Sequence, residues 1–415
     1  MLVMPPIMKA VATEQKTWKL KLTLLLVSSL TIMSVITIAP ALPQMALEFA
    51  DVENGALMVK LVLTLPALLI ALCAPIAGGL IDRHGRLRIL WLALVLYALA
   101  GAGGYFLDNL YDLLISRAVL GMSVGMSMTI VVTLIADYFE GRERQQFVGL
   151  QIAFMSLGGI LFIGLAGILA DYGWRYPFLI YLSSLLLLPL SITWLHEPAA
   201  AEKSPRVKQQ AHSPPIIWLL LINTMLMWVF FFLIPVQIPF HLQALGIGKS
   251  SLIGAAIAIS TAFSAVASFS YSRIKARFSY LAVFSMGYFL LAAGFVCLAV
   301  SHTYVVVVVA MMLSGLGMGM MIPNTNMWVM KIAPPEIRGK EIGKLTTCWF
   351  LGQFLSPVLL FPVSNLLSLP ATFLLASGVL LLLSLAFLVF QFSNTGIWLR
   401  NKEAGKSAAG AAHRG

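Results

Sequence analysis

Runs of about twenty mostly apolar residues occur twelve times along this chain, and no other feature limits its possible folds so severely. A helix needs roughly 20 such residues to cross the hydrocarbon layer of a bilayer. In the first half the runs fall near 20–42, 55–80, 87–107, 111–138, 145–170 and 176–195. In the second they fall near 216–240, 250–272, 279–300, 303–331, 341–364 and 370–393. Of the 415 residues, 60% are hydrophobic and only 10% charged, whereas soluble domains are about half apolar and about a quarter charged. Too little polar surface exists to cover a water-soluble fold, so the solvent must be lipid. The expected fold is an all-α membrane protein with twelve transmembrane helices. The first run ends in "APALPQM" without a small-residue cleavage site, so it reads as a retained helix.

The net charge of +11 sits in clusters between the runs, as cytoplasmic loops do under the positive-inside rule. Such a layout does not suit a nucleic-acid partner. With the N-terminus inside, 23 of the 27 Lys and Arg residues fall on one side. The other four are Lys60, Arg175 and Lys249 near the outer face and Arg117 within a run. Both termini are therefore expected in the cytoplasm, and the small basic linker suits a bacterial inner membrane. Cys73, Cys297 and Cys348 lie in apolar runs at unrelated spacings, so they imply neither disulfide nor zinc site. "GIGKSS" (246–251) has Gln243 where a phosphate loop needs its first glycine, and it lies on the side away from ATP. No metal, cofactor or enzymatic activity is expected.

The chain also reads as a duplication. Arg144, Gly149 and Gly158 return 194 positions later as Arg338, Gly343 and Gly352, and Gly121 and Gly125 return as Gly315 and Gly319. Parallel repeats of six helices, with the substrate between them near the midplane, are a common transporter plan. The expected division is 1–195, a cytoplasmic linker 196–215, 216–394 and a cytoplasmic tail 395–415, in a monomer.

Between the second and third runs stands "GGLIDRHGRLRIL" (78–90). It resembles the loop between helices two and three of the major facilitator superfamily, Gly-x-Leu-x-Asp-Arg-x-Gly-Arg, here Gly78, Leu80, Asp82, Arg83, Gly85 and Arg86. Gly78 would let two helices approach, and Gly85 would permit a tight turn. Asp82 would meet the positive dipole end of a neighbouring helix, which the resemblance makes the eleventh. The resemblance also pairs Arg86 with Asp137. Together these residues would form a latch closing the cytoplasmic side. The second half lacks it: Arg273 stands opposite Asp82, Ala276 opposite Gly85 and Lys331 opposite Asp137.

"RAVLGMSVG" resembles the family's Arg-x-x-x-Gly-x-x-x-Gly pattern in helix four, whose arginine is tied to proton coupling. Arg117 is thus the candidate coupling cation; the alternative is a residue that snorkels to the interface. The glycine-rich exporter motif of helix five is incomplete. Gly149, Gly158 and Gly167 keep their places, but Phe162 and Ile163 replace its Gly-Pro. "APALPQM" is similar to the end of helix one in twelve-helix drug exporters.

Polar and aromatic residues within the runs nominate a substrate cavity: Ser34, Thr37, Gln151, Phe154, Asn223, Trp228, Gln237, Asn324, Thr347 and Gln353. Such a lining suits an amphipathic organic molecule. All sixteen acids sit at loops or run ends, so coupling would fall to Asp112, Asp171, Glu48 or His241. The expected function is proton-linked export of small amphipathic organic molecules, drugs or a secreted metabolite such as a siderophore. A metabolite importer or uniporter of the same superfamily is the alternative.

Overall fold

The computed structural model describes residues 6–198 and 212–393, with side chains from Trp18 onward except that of Asp82. Most of the linker and the whole expected tail lie outside the described residues. All regular structure among the described residues is helical. The first repeat holds α1 (Pro6–Ile36), α2 (Leu42–Glu48), α3 (Gly55–His84), α4 (Arg86–Gly103), α5 (Leu110–Tyr138), α6 (Gly141–Tyr172) and α7 (Ser183–Trp194). The second holds α8 (Pro215–Phe231), α9 (Leu233–Ala244), α10 (Ser250–Lys275), α11 (Tyr280–Ala299), α12 (Tyr304–Ile332), α13 (Arg338–Leu366) and α14 (Leu369–Phe392). Short 3₁₀ segments, Ala39–Ala41 and Tyr176–Leu182, precede α2 and α7. Twelve spans are long and apolar enough to cross a membrane.

Lipid leaves the backbone no partner but itself, so each run must close its own hydrogen bonds as a helix. Three helix starts carry a polar side-chain cap. Asn109 accepts from Tyr111 N (2.9 Å) at α5, Ser279 from Ala282 N (3.1 Å) at α11, and Ser368 from Ala371 N (3.4 Å) at α14. Large apolar residues such as Ile76, Leu382 and Val389 stay exposed, as side chains that face acyl tails should.

The duplication has a packing counterpart. A Cβ added at Gly121 on α5 would stand 2.5 Å from Pro66 O on α3, and one at Gly315 on α12 would stand 2.2 Å from Ser260 O on α10. Pro66 and Ser260 are themselves 194 positions apart. Small residues at these points let the paired backbones touch, the device that replaces the hydrophobic effect inside a membrane.

Packing resolves the chain into two compact units. The first comprises Met1–His212, Leu221–Ala258 and Gly343–Phe361; the second comprises Ser213–Leu220, Ile259–Ile342 and Pro362–Gly415. Parts of the second repeat therefore pack with the first. In the first unit, Gly167 on α6 meets Ser250, Ser251 and Gly254 of α10, with its notional Cβ 2.8 Å from Ser250 O. Gln44 donates to Ala170 O (2.8 Å) and to Ser250 Oγ (3.1 Å). Asp171 accepts from Ser251 N (3.1 Å) in the first turn of α10, where a carboxylate complements the helix dipole.

Candidate functional site

Three groups of residues carry chemistry. The first lies at the end of the bundle where the basic loops gather. Gly85 joins α3 to α4 with φ +88, a conformation that costs a residue with Cβ but not glycine. The turn brings Arg86 to the start of α4, where its Nε stands 2.8 Å from Asp137 Oδ2 near the end of α5. The pairing that the motif implies is thus present, as an ionic contact off the N–H axis. A third member comes from beyond α7. Glu197 accepts from Arg86 N (2.7 Å) and Leu87 N (2.9 Å), and its Oε1 lies 3.8 Å from Arg86 Nη1. One carboxylate therefore satisfies two orphan donors of α4 and faces its positive dipole end. Tyr138 donates to His196 O beside it. Nothing in the local sequence joins residue 197 to residue 86, and the sequence reading missed it.

The other latch candidates are placed less directly. Arg83 is exposed, and the side chain of Asp82 lies outside the described residues. Gly78 needs a correction: no described atom comes within 4 Å of a Cβ built there. Close helix approaches fall instead at glycines such as Gly121 and Gly167, which face a neighbouring backbone.

The second group surrounds Arg117, which is fully buried, so it does not snorkel. Its Nη2 donates to Ala100 O (2.9 Å) and Gly101 O (2.6 Å), two carbonyls in the last turn of α4 that no intrahelical N–H can reach. Its guanidinium lies 4.8 Å from the Phe178 ring centre and 5.0 Å from that of Tyr181. Those rings seat against α4 where it lacks side chains, since a Cβ at Gly101 or Gly104 would collide with Tyr181 or Phe178. Tyr181 in turn donates to Ser34 O on α1 (3.4 Å). Arg117 thus ties α4, α5, the segment before α7 and α1. Its Nε and Nη1 have no hydrogen-bond partner.

The third group is the nominated cavity lining. Nine of its ten residues belong to the first compact unit, and Asn324 belongs to the second. Ser34 donates to Thr31 O (2.8 Å) and Thr37 to Met33 O (2.5 Å), each on its own helix. Gln151 reaches Ser28 Oγ (2.9 Å), joining α6 to α1, and Phe154 is half-buried nearby on α6. Asn223 and Gln237 are buried on α8 and α9. Trp228 on α8 packs against Trp349 on α13 with ring centres 5.3 Å apart. Thr347 bonds back to Gly343 O (3.2 Å), and Gln353 is buried on the same helix. Asn324 does not behave as a lining residue. It accepts from Tyr271 OH (3.1 Å) and donates to Tyr280 O (3.0 Å), so both ends of its amide are consumed in packing.

One buried cation was passed over as a mere outer-face residue. Lys60 on α3 is 7% exposed. Its Nζ stands 5.1 Å from the Phe240 ring centre and 4.7 Å from that of Phe361. A lysine five residues into an apolar span was the only available signal. The described residues contain no cluster of His, Cys, Asp and Glu able to hold a metal ion.

A family model described as Major Facilitator Superfamily matches residues 24–357 and again 245–412. The bacillibactin exporter of Bacillus subtilis is 25% identical over 339 residues, covering 77% of this chain and 83% of that protein. The niacin transporter NiaP of Acinetobacter baylyi is 34% identical over 111 residues, 26% of this chain and 25% of that protein. The quinolone resistance protein NorA of Staphylococcus aureus is 31% identical over 134 residues, 32% of this chain and 34% of that one. These last two matches therefore span only a quarter and a third of their relatives. Among solved structures, the xylose transporter XylE from E. coli in an inward open conformation superposes with a TM-score of 0.73 at 15% identity, over 89% of this chain and 95% of that one. The nucleoside transporter NupG gives 0.72 at 15% identity, over 90% and 100%. At such identity these likenesses speak for the fold alone. With twelve membrane-length spans and a family match over most of its length, this multi-pass membrane protein belongs to the Major Facilitator Superfamily and resembles its exporter branch.

Proposed function

We propose that this transporter exports small amphipathic organic molecules, drugs or a secreted metabolite such as a siderophore, in exchange for protons. The observation that carries the direction is the similarity to the bacillibactin exporter, which spans 77% of this chain. The nominated lining supports the substrate class: it combines the aromatic rings of Phe154 and Trp228 with the amides of Gln151, Asn223, Gln237 and Gln353. In this reading the basic end is cytoplasmic, the membrane is a bacterial inner membrane, and the two sequence repeats of a monomer alternate access to the solute. Asp82, Arg83, Gly85, Arg86 and Asp137 act as the gating latch. Arg117 serves coupling by holding the end of α4 against α1 and the segment before α7. The match to a niacin transporter favours a second reading, metabolite uptake.

Uptake of a dye and a metabolite panel into inside-out vesicles tests the proposal. The expected result is accumulation that rises when the vesicle interior is acidified and collapses with a protonophore. Uptake indifferent to the gradient would mean facilitated diffusion. Accumulation only in right-side-out vesicles would mean import.

A further inference from the structure

We infer that α8 and α13 together form a subsite for flat aromatic compounds that carry a carbonyl or carboxylate acceptor beside a hydroxyl or amine donor. The inference rests on the organic-substrate reading above and narrows it.

Four buried polar atoms on these two helices have no hydrogen-bond partner: Trp228 Nε1, Trp349 Nε1, Gln353 Oε1 and Ser356 Oγ. Buried polar atoms in native proteins are nearly always paired, and each exception calls for an explanation. Here four exceptions fall on two helices packed against each other. Trp349, Gln353 and Ser356 follow at intervals of four and three residues, so they lie on one face of α13. Gly352 sets that helix against α8, where a Cβ would stand 2.8 Å from Trp228 Cβ. The indoles are 5.3 Å apart and inclined at 50°, with Phe231 at 5.8 Å from Trp228. Gln353 is 6% exposed and Ser356 fully buried.

The chemistry of the orphan atoms specifies the ligand. Two indole N–H groups can only donate, so they want an acceptor. The amide oxygen can only accept, so it wants a donor. The serine hydroxyl serves either. The aromatic faces supply stacking area with little side-chain entropy to lose. A planar solute with both kinds of group can pair with the indole donors and the amide acceptor while it covers the rings.

Binding to the detergent-solubilised full chain tests this without any transport step. The probes are 3-hydroxy-2-naphthoate, which has a carboxylate acceptor and a hydroxyl on a flat ring, and 2-naphthol, which lacks the carboxylate. Trp349→Phe keeps a stacking face and removes one donor. It should weaken hydroxynaphthoate about tenfold, the equivalent of about 1.4 kcal/mol, and leave 2-naphthol within about twofold. Gln353→Leu should weaken both probes, because both present a hydroxyl. Thermal midpoints within a few degrees of the native protein confirm that each variant folds. The subsite is overturned if the native protein binds neither probe, or if Trp349→Phe weakens neither or both alike. Specific binding in the absence of vesicle accumulation would remove the export reading and leave the subsite standing.

Discussion

The basic-end corner of the first repeat and the same corner of the second share the register of two helices but not their turn or their chemistry: Gly85 alone joins α3 to α4, whereas residues 276–279 join α10 to α11. Helices α4 and α11 begin 194 positions apart, at Arg86 and Tyr280, and α5 and α12 share both bounds in the same register. In the first repeat Arg86 meets Asp137 as an ion pair at 2.8 Å. In the second the helix bounds correct the sequence alignment, setting Ala276 rather than Arg273 opposite Asp82 and Ser279 rather than Ala276 opposite Gly85. Tyr280 and Lys331 then answer to Arg86 and Asp137, and Lys331 Nζ lies 5.7 Å from the Tyr280 ring centre. Lys275 Nζ is closer still, at 3.9 Å, and Trp328 stacks on the same ring at 5.3 Å with the planes 3° apart. The arginine has become a ring and the acid a cation. A π face attracts a cation but does not titrate, and it presents no carboxylate to strand when the contact parts. The lesson is that register fixes which residues touch, while the pair at the contact decides whether it can switch.

The largest effect is expected where the repeats differ most in cost of burial. Arg117→Met installs the residue that the second repeat carries at Met311, which is buried without any cation. Gly101 O then loses its donor while Ala100 O keeps only that of Ser116 Oγ (2.7 Å), and a buried group left unpaired costs about 1–3 kcal/mol. Arg117→Met should abolish active transport while membrane insertion persists, and Arg117→Lys should keep part of it. Uptake measured beside expression level checks this; a normally expressed, fully active Arg117→Met protein would refute it.

Next comes exchange of the corners. Asp137→Lys sets a like charge beside Arg86 and should lower the thermal midpoint by several degrees, a loss of about 1–3 kcal/mol. Adding Arg86→Tyr rebuilds the second repeat's cation–π pair and should recover about 1 kcal/mol. A double variant no more stable than Asp137→Lys alone would show that the two chemistries are not exchangeable. Asp82→Asn is expected to act on the conformational equilibrium more than on stability, since it removes charge from the latch and keeps size. Cysteine labelling from both sides should show weaker closure of the basic end; an unchanged ratio would remove Asp82 from the latch. The smallest effect belongs to Glu197→Gln. It weakens the cap on α4 by about 1 kcal/mol, and the loss should shrink in molar salt, where screening reaches about 3 Å. Calorimetry at low and high salt reads it.

Much of the architecture was legible before any coordinates. Twelve spans follow from run length, because a bilayer admits only segments that bond their own backbone. The repeat register follows from glycines, because a close helix approach tolerates little else. The Arg86–Asp137 contact was legible through the motif. Other features were decided by which helix faces meet, and no periodicity records that. Glu197 reaches Arg86 across 111 residues. Asn324, read as lining, is spent on Tyr271 and Tyr280. Lys60, read as a surface charge, is enclosed by two rings from α9 and α13. Arg117 announced itself as an expensive residue, but only packing showed that its charge is turned on the carbonyls of α4 and not on an acid. A sequence states what each side chain needs; the tertiary structure selects the partner, because the candidates are brought together only by helices distant along the chain.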